Sequence, residues 1–210
     1  MFGYFAGGST WLQNTAPLTG ANVSKGVIVR SVSTRPEDPD SSDAAAMCTS
    51  DAGSAVLTLS GCTVVGTAAA SKGGTAAIIA LANGLSVPIT LRVWHPAPLS
   101  LHLDNAILNR LDGCAAGAVG SYQGSRLRVL SGGLDVTLLL GAASGVAALL
   151  SLPTTVALEV TAAPGGGVAR LTLRGAIEGS GAISLVHSSA VSTSVEVRGA
   201  AVTVASLYVG

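Results

Sequence analysis

Charge is scarce in this sequence. Of 210 residues only 10% are charged, against roughly 25% in ordinary soluble domains. The 11 basic residues cancel the 11 acidic ones. With no basic stripe, the chain lacks the electrostatic footprint of a nucleic-acid binder. The same balance argues against a protein that sits on an anionic membrane surface. Aromatic residues make up 3% of the chain. Catalytic signatures are missing as well: there is no G-x-S-x-G nucleophile elbow, no Walker loop and no G-x-G-x-x-G opening a helix. The start, Met1 to Gly8, has neither a basic segment nor an apolar run long enough for a secretory leader. Such a start belongs to a cytosolic protein or to a piece of a longer chain.

What remains is apolar and small. Hydrophobic residues reach 49%, and there are 27 glycines. This composition excludes disorder, which needs low hydrophobicity and high charge. It suffices for one large core or two small ones. Strand signals recur along the chain. Ala55–Leu59, Cys62–Val65, Thr75–Ala80, Leu99–Leu103, Ser125–Leu130, Val156–Val160, Val168–Leu173, Ala182–Val186, Val195–Val197 and Ala201–Leu207 all read as strands. Ile89–Trp94 alternates with period two, with Ile89, Leu91 and Val93 on one face. Asn83-Gly84 is a strong hairpin dipeptide. Arg35 to Asp43 holds two prolines and four acids and reads as an exposed loop. Short strands with Gly-rich turns predict β-sandwiches rather than α/β layers. Twice the chain runs strand, turn, short strand, glycine turn, strand, the pattern of bacterial-type immunoglobulin-like repeats. The fold class expected is all-β, with tandem immunoglobulin-like sandwiches. Residues 1–26 are expected to be ragged or disordered, 27–95 to form one immunoglobulin-like domain, whole or truncated, and 96–210 a second such region.

Few residues invite chemistry. His95, His102 and His187 are the only histidines and have no metal-ligand spacing. Asp104 and Asp112 flank an apolar segment without a partner that the sequence names. No metal, cofactor, small-molecule substrate or catalytic residue is expected. Cys48 and Cys62 enclose a turn and a strand; by spacing alone they are two buried thiols or a disulfide closing a short loop. Asn22-Val23-Ser24 is a glycosylation sequon. Val136 to Leu152 is uncharged and near the lower length limit for a membrane span, but it lacks interfacial anchors and is followed by Pro153. A buried core element is the preferred reading of it, and a span the alternative. In Ile89–Trp94 the alternation turns Trp94 away from the apolar face. Trp94, Pro96 and Pro98 are therefore expected to mark a domain junction, with Trp94 at the seam.

From Cys48 to Asp112 the chain resembles the extracellular region of the transmembrane protein 132 family. The likeness is carried by Val93-Trp94-His95-Pro96 followed by the alternating Pro98 to Leu101. Asp104 to Gly113, the Cys48 and Cys62 spacing, and the Lys72-Gly73 turn add to it. A looser likeness continues through Tyr122-Gln123 and Arg126–Leu130 toward the C-terminus; Cys114 stands where the family has Trp. The resemblance implies stacked immunoglobulin-like domains of a single-pass membrane protein, on the extracellular side. It also implies a Cys48–Cys62 pair with Cys114 free, a protein partner on a cell surface, a role in cell adhesion and no enzymatic activity. A bacterial-type adhesin or surface-layer repeat is the alternative reading, and a hydrolase with scattered catalytic groups a remoter one.

Overall fold

A computed structural model describes residues 1–31, 42–43, 45–112 and 122–203. Cys114, most of the acidic cluster at 35–43 and the last residues of the expected 201–207 strand lie outside them. The chain divides into two compact units, Met1–Ala97 and Pro98–Gly210.

In the first unit the strands are β1 (Phe2–Phe5), β2 (Trp11–Gln13), β3 (Val23–Ser31), β4 (Ser42–Asp43), β5 (Met47–Ser50), β6 (Thr58–Ser60), β7 (Thr63–Gly66), β8 (Gly74–Ala82) and β9 (Leu85–Trp94). One sheet runs β1-β3-β7-β6, with β4 on β3; the other runs β2-β9-β8-β5. In immunoglobulin lettering these are the A-B-E-D and A′-G-F-C sheets of a sandwich. Alternation decides which side faces in. Ala76, Ile78, Ala80 and Ala82 of β8 and Ile89, Leu91 and Val93 of β9 meet Phe5, Val29 and Val64 of the opposite sheet in one buried cluster. A fully buried Ile or Leu of this kind contributes about 1.5–3 kcal/mol. The Asn83-Gly84 hairpin forms as expected, both residues at positive φ (51° and 74°), the conformation a two-residue type I′ turn requires.

Two expectations for this half are corrected. Residues 1–26 are not ragged: they supply β1, β2, the short helix α1 (Ala16–Thr19) and the start of β3. The aperiodic sequence hides them because β1 and β2 are only four and three residues long. They are held by pairing, β1 antiparallel to β3 and β2 parallel to β9, and by buried Phe5, Leu12 and Leu18. Ala55–Leu57 is a turn rather than strand, although Val56 and Leu57 are buried; those apolar side chains plug the sandwich from a loop.

Buried Asn14 joins the end of β2 to its surroundings. Its backbone N–H donates to the Trp94 carbonyl (2.9 Å), its side-chain amide donates to the Thr67 carbonyl (3.0 Å), and its Oδ1 accepts from Ala16 N–H (3.2 Å). Gly66 is required beside it, since a Cβ there would lie 2.8 Å from the Asn14 side chain.

Cys48 on β5 is disulfide-bonded to Cys62 in the β6–β7 turn, with Cα atoms 4.9 Å apart. The bond ties the edge strand of one sheet to the edge hairpin of the other. The closed loop is short, with a sequence separation of 14, and its chain-entropy contribution is about 3 kcal/mol. Replacing both cysteines by Ala should lower the unfolding free energy by about that amount, read from urea denaturation of the oxidised parent and the double variant.

The second unit repeats the layout with β10 (Leu99–Leu103), β11 (Ile107–Asp112), β12 (Gly124–Ser131), β13 (Leu134–Asp135), β14 (Leu150–Ser151), β15 (Val156–Ala162), β16 (Val168–Gly175), β17 (Gly179–Leu185) and β18 (Ser188–Thr203). Its sheets are β10-β12-β16-β15, with β13 on β12, and β11-β18-β17-β14. The A-B-E-D and A′-G-F-C orders recur, including the parallel A′–G pair, here β11 with β18. Its core is aliphatic: Leu108, Leu127, Val129, Leu171, Leu173, Ile183 and Leu185 are fully buried.

The apolar stretch from Val136 to Leu152 folds into two 3-10 turns, Thr137–Leu140 and Ala143–Leu149, then β14. Val136, Leu140, Val146 and Leu150 point inward, whereas Leu138 stays exposed, so the stretch is buried on one side only. Among the described residues no helix is long and apolar enough to cross a membrane.

Asp135 anchors the start of this stretch. Its Oδ1 accepts from the Thr137 N–H (3.0 Å), and its Oδ2 faces Arg126 at 3.3 Å. Burial works to raise its pKa, but the Thr137 hydroxyl and N–H and the Arg126 charge outweigh it, and the pKa is lowered. A depressed carboxyl contributes stability that is present at neutral pH and lost as pH falls through the lowered value. Asp135→Asn should therefore reduce stability slightly at pH 7 and shrink the gap to wild type in acid. Thermal melts from pH 7 to pH 2 measure this; a gap that widens in acid contradicts it.

Candidate interaction face

Among the described residues the titratable groups lie scattered. Among the described residues no cluster of three His, Cys, Asp or Glu side chains could hold a metal ion. His95 Nε2 lies 2.8 Å from the Ala70 carbonyl, and His102 is an exposed neighbour of Asp104 at 3.8 Å. Asp104 in turn pairs closely with Arg128. His187 sits exposed in the β17–β18 turn. A hollow of about 520 Å³ opens beside β2, lined by Leu12, Gln13, Val23, Ser24 and Lys25 among others. The Lys25 ammonium there is already engaged, donating to the Trp11 carbonyl at 3.1 Å.

The unusual feature is the outer side of the β2-β9-β8-β5 sheet. Where odd-numbered residues of β9 enter the core, the even-numbered ones face out. Pairing sets them in rows: Met47, Leu81 and Ser86; Thr49, Ile79 and Pro88; Ala77 and Thr90; Thr75, Arg92 and Trp11. Met47 is 74% exposed, Trp11 54%, Leu81 47% and Ile79 43%. Arg92 is the only charged side chain in these rows. Its guanidinium lies 5.5 Å from the Trp11 ring centroid, a cation–π pair. Asp51, just past β5, spends one carboxylate oxygen on the Ala77 N–H at 2.7 Å. The face therefore carries one Trp, one Met and one Arg, types enriched in protein interfaces, among Ile79, Leu81 and small or hydroxyl-bearing residues.

Of the residues singled out from sequence, Cys48 and Cys62 meet, as described. Asn22 is exposed immediately before β3. Trp94 is half-buried at the end of β9, opposite Gln13. Pro96 is buried and Pro98 exposed. The face itself escapes sequence reading. Ile79 and Leu81 look like core residues within an apolar run, and Met47 and Trp11 lie in segments with no legible period. Only the strand register shows that they share a side.

Two sheets in A-B-E-D and A′-G-F-C order make each unit an immunoglobulin-like β-sandwich. Residues 7–98 match the family model of the TMEM132 fourth domain, an immunoglobulin-like domain; the first unit is thus similar to that domain. The match starts upstream of the segment where the resemblance is legible, because it takes in β2, α1 and β3. Immunoglobulin-like domains of that family are extracellular. Among curated proteins, none matches this chain. Among solved structures, the crystal structure of domains 4 and 5 of the S-layer protein SbsC is similar at 16% identity and a TM-score of 0.36, covering 87% of this chain and 82% of that one. Domains 5–6 of the same protein give 12% identity and a TM-score of 0.26, covering 86% and 91%. At these scores neither likeness carries a fold assignment.

Proposed function

We propose that this chain is a non-enzymatic extracellular structural module that takes part in cell adhesion, with the outer side of the β2-β9-β8-β5 sheet as its recognition face. The family match to an extracellular immunoglobulin-like domain supports the location. The observation that carries the adhesive role is the exposed, nearly uncharged face with Met47, Ile79, Leu81, Trp11 and Arg92. Apolar area of this kind is stabilised only by being covered. Its partner is a protein on a cell surface, since the face offers neither an enclosed cavity nor a charged groove for a small molecule or nucleic acid. Beads coated with the folded chain should adhere to cultured cells, and Leu81→Glu should reduce adhesion several-fold without changing the melting temperature. Equal adhesion by wild type and variant contradicts the assignment of the face.

The same reading makes Asn22 a glycan acceptor, since Asn22 and Ser24 of its sequon are exposed where β3 begins. Chain expressed through a secretory pathway should lose apparent mass on treatment with an N-glycan amidase. Asn22→Gln should abolish that shift.

A further inference from the structure

We propose that the occupant of this face is a second copy of the same chain, the two β2-β9-β8-β5 sheets packing face to face about a two-fold axis. The proposal rests on the adhesive reading and names its partner.

The first argument is contrast within the molecule. The second unit has the same strand order and is drawn from the same low-charge composition. Yet the outer side of its β17–β18 pair carries Ser180, Ala182, Ser184, Ser192, Ser194, Glu196 and Arg198. The two charged residues satisfy each other at 2.8 Å. An exposed apolar sheet face is therefore not a by-product of the composition. The fold is equally built with a small, polar outer side, and the first unit departs from it.

Charge chooses the partner. The rows hold one cation, Arg92, and the one carboxylate at their border, Asp51, is turned onto the Ala77 N–H, so the face offers little that is complementary to an acidic or a basic surface at large. It fits a partner that is itself neutral and apolar, and its own copy is such a surface. The one conflict in self-pairing is Arg92 against Arg92, and it fixes the orientation. With the axis lying across the strands, level with the paired Ile78 and Ile89, the strands of the second copy run in reverse. Each Arg92 then faces the second copy's Ser86. At about 3.4 Å per residue the two guanidinium-bearing positions stand roughly 20 Å apart, well beyond a Debye length of about 8 Å at physiological salt. The same axis brings Ile79 over the second copy's Ala77, with the two Ile79 side chains close to each other. This is the self-complementary arrangement an isologous contact demands.

Area sets the strength. With about 3.4 Å per residue along the strands and about 4.8 Å between them, the sheet plane is on the order of 400 Å² per copy. Two copies cover on the order of 800 Å², below the roughly 1,200–2,000 Å² of a standard stable complex. Contacts of that size belong to the weak, transient class. Apposed arrays multiply such weak contacts through effective concentration.

Sedimentation of the oxidised chain across a concentration series tests the proposal. Reversible dimerisation is expected, and it should weaken at least tenfold in Ile79→Glu while Ser194→Glu on the second unit leaves it unchanged. Ile79 is on the outer side, so melting temperatures should stay within a few degrees. The sharper measurement is mixing. Ile79→Glu and Ile79→Lys should each be monomeric alone and should pair when mixed, because the axis sets those positions side by side. Wild type that stays monomeric at about 100 µM overturns the proposal, as does a dimer that survives Ile79→Glu or a mixture that fails to pair. Beads that bind cells but whose coating chain does not self-associate overturn this inference and leave the adhesive reading standing. Beads that do neither remove both.

Discussion

Both sandwiches depend on one constraint: each sheet has a single side that can be taken out of water, and the period-two alternation of the strands decides which. With so few aromatic residues, burial has to come from many small aliphatic contacts. In the first unit β8 presents Ala76, Ile78, Ala80 and Ala82 inward, and the small residues let the facing layer approach. Gly3 of β1 shows how close that approach is, since a Cβ there would lie 2.6 Å from the Ile89 Cδ1. A one-residue slip of β8 against β9 would expose Ile78 and bury Thr75, Ala77 and Ile79, exchanging core for surface across the whole strand. The Asn83-Gly84 turn, which fixes that register, is therefore a determinant of the outer face as much as of the core.

Much of the architecture was legible because long strands carry their pattern openly. Ile89–Trp94, Leu99–Leu103 and Ser125–Leu130 alternate within themselves, and the structure extends them by a few residues at most on either side. What was hidden are elements defined by partners rather than by their own residues. Phe2–Phe5 and Trp11–Gln13 are too short to show a period; β2 exists because β9 offers a free edge for parallel pairing. Ala55–Leu57 misled for the opposite reason. Its apolar residues are buried, yet they plug the sandwich from a turn, and hydrophobicity does not distinguish a plug from a strand. In Val136 to Leu152 an apolar run that reads as helix or strand folds as 3-10 turns with one side covered.

The candidate site was the least legible part. An outward Ile79 and an inward Ile78 are adjacent and chemically identical, so composition cannot assign them. Their roles follow from pairing with Pro88 and Ile89, a long-range fact. Trp11 carries no local signal either, and its place beside Arg92 comes from the β2–β9 register.

The disulfide connects these observations. Its position differs from the B-to-F bond that crosses the middle of antibody domains; here it joins strand β5 to the β6–β7 turn at the margin. The centre, where Ile78 and Leu91 are fully buried, already holds its sheets together by packing. The margin does not: β5 is a four-residue edge strand paired only to β8, and edge strands fray most readily. Cys48 points inward between Met47 and Thr49, which point out. Fixing Cys48 to the opposite sheet therefore fixes the side chains on either side of it, and with them one border of the apolar face. A covalent link placed where packing is weakest keeps an exposed surface rigid, so that a partner meeting it spends little of its binding free energy on ordering it.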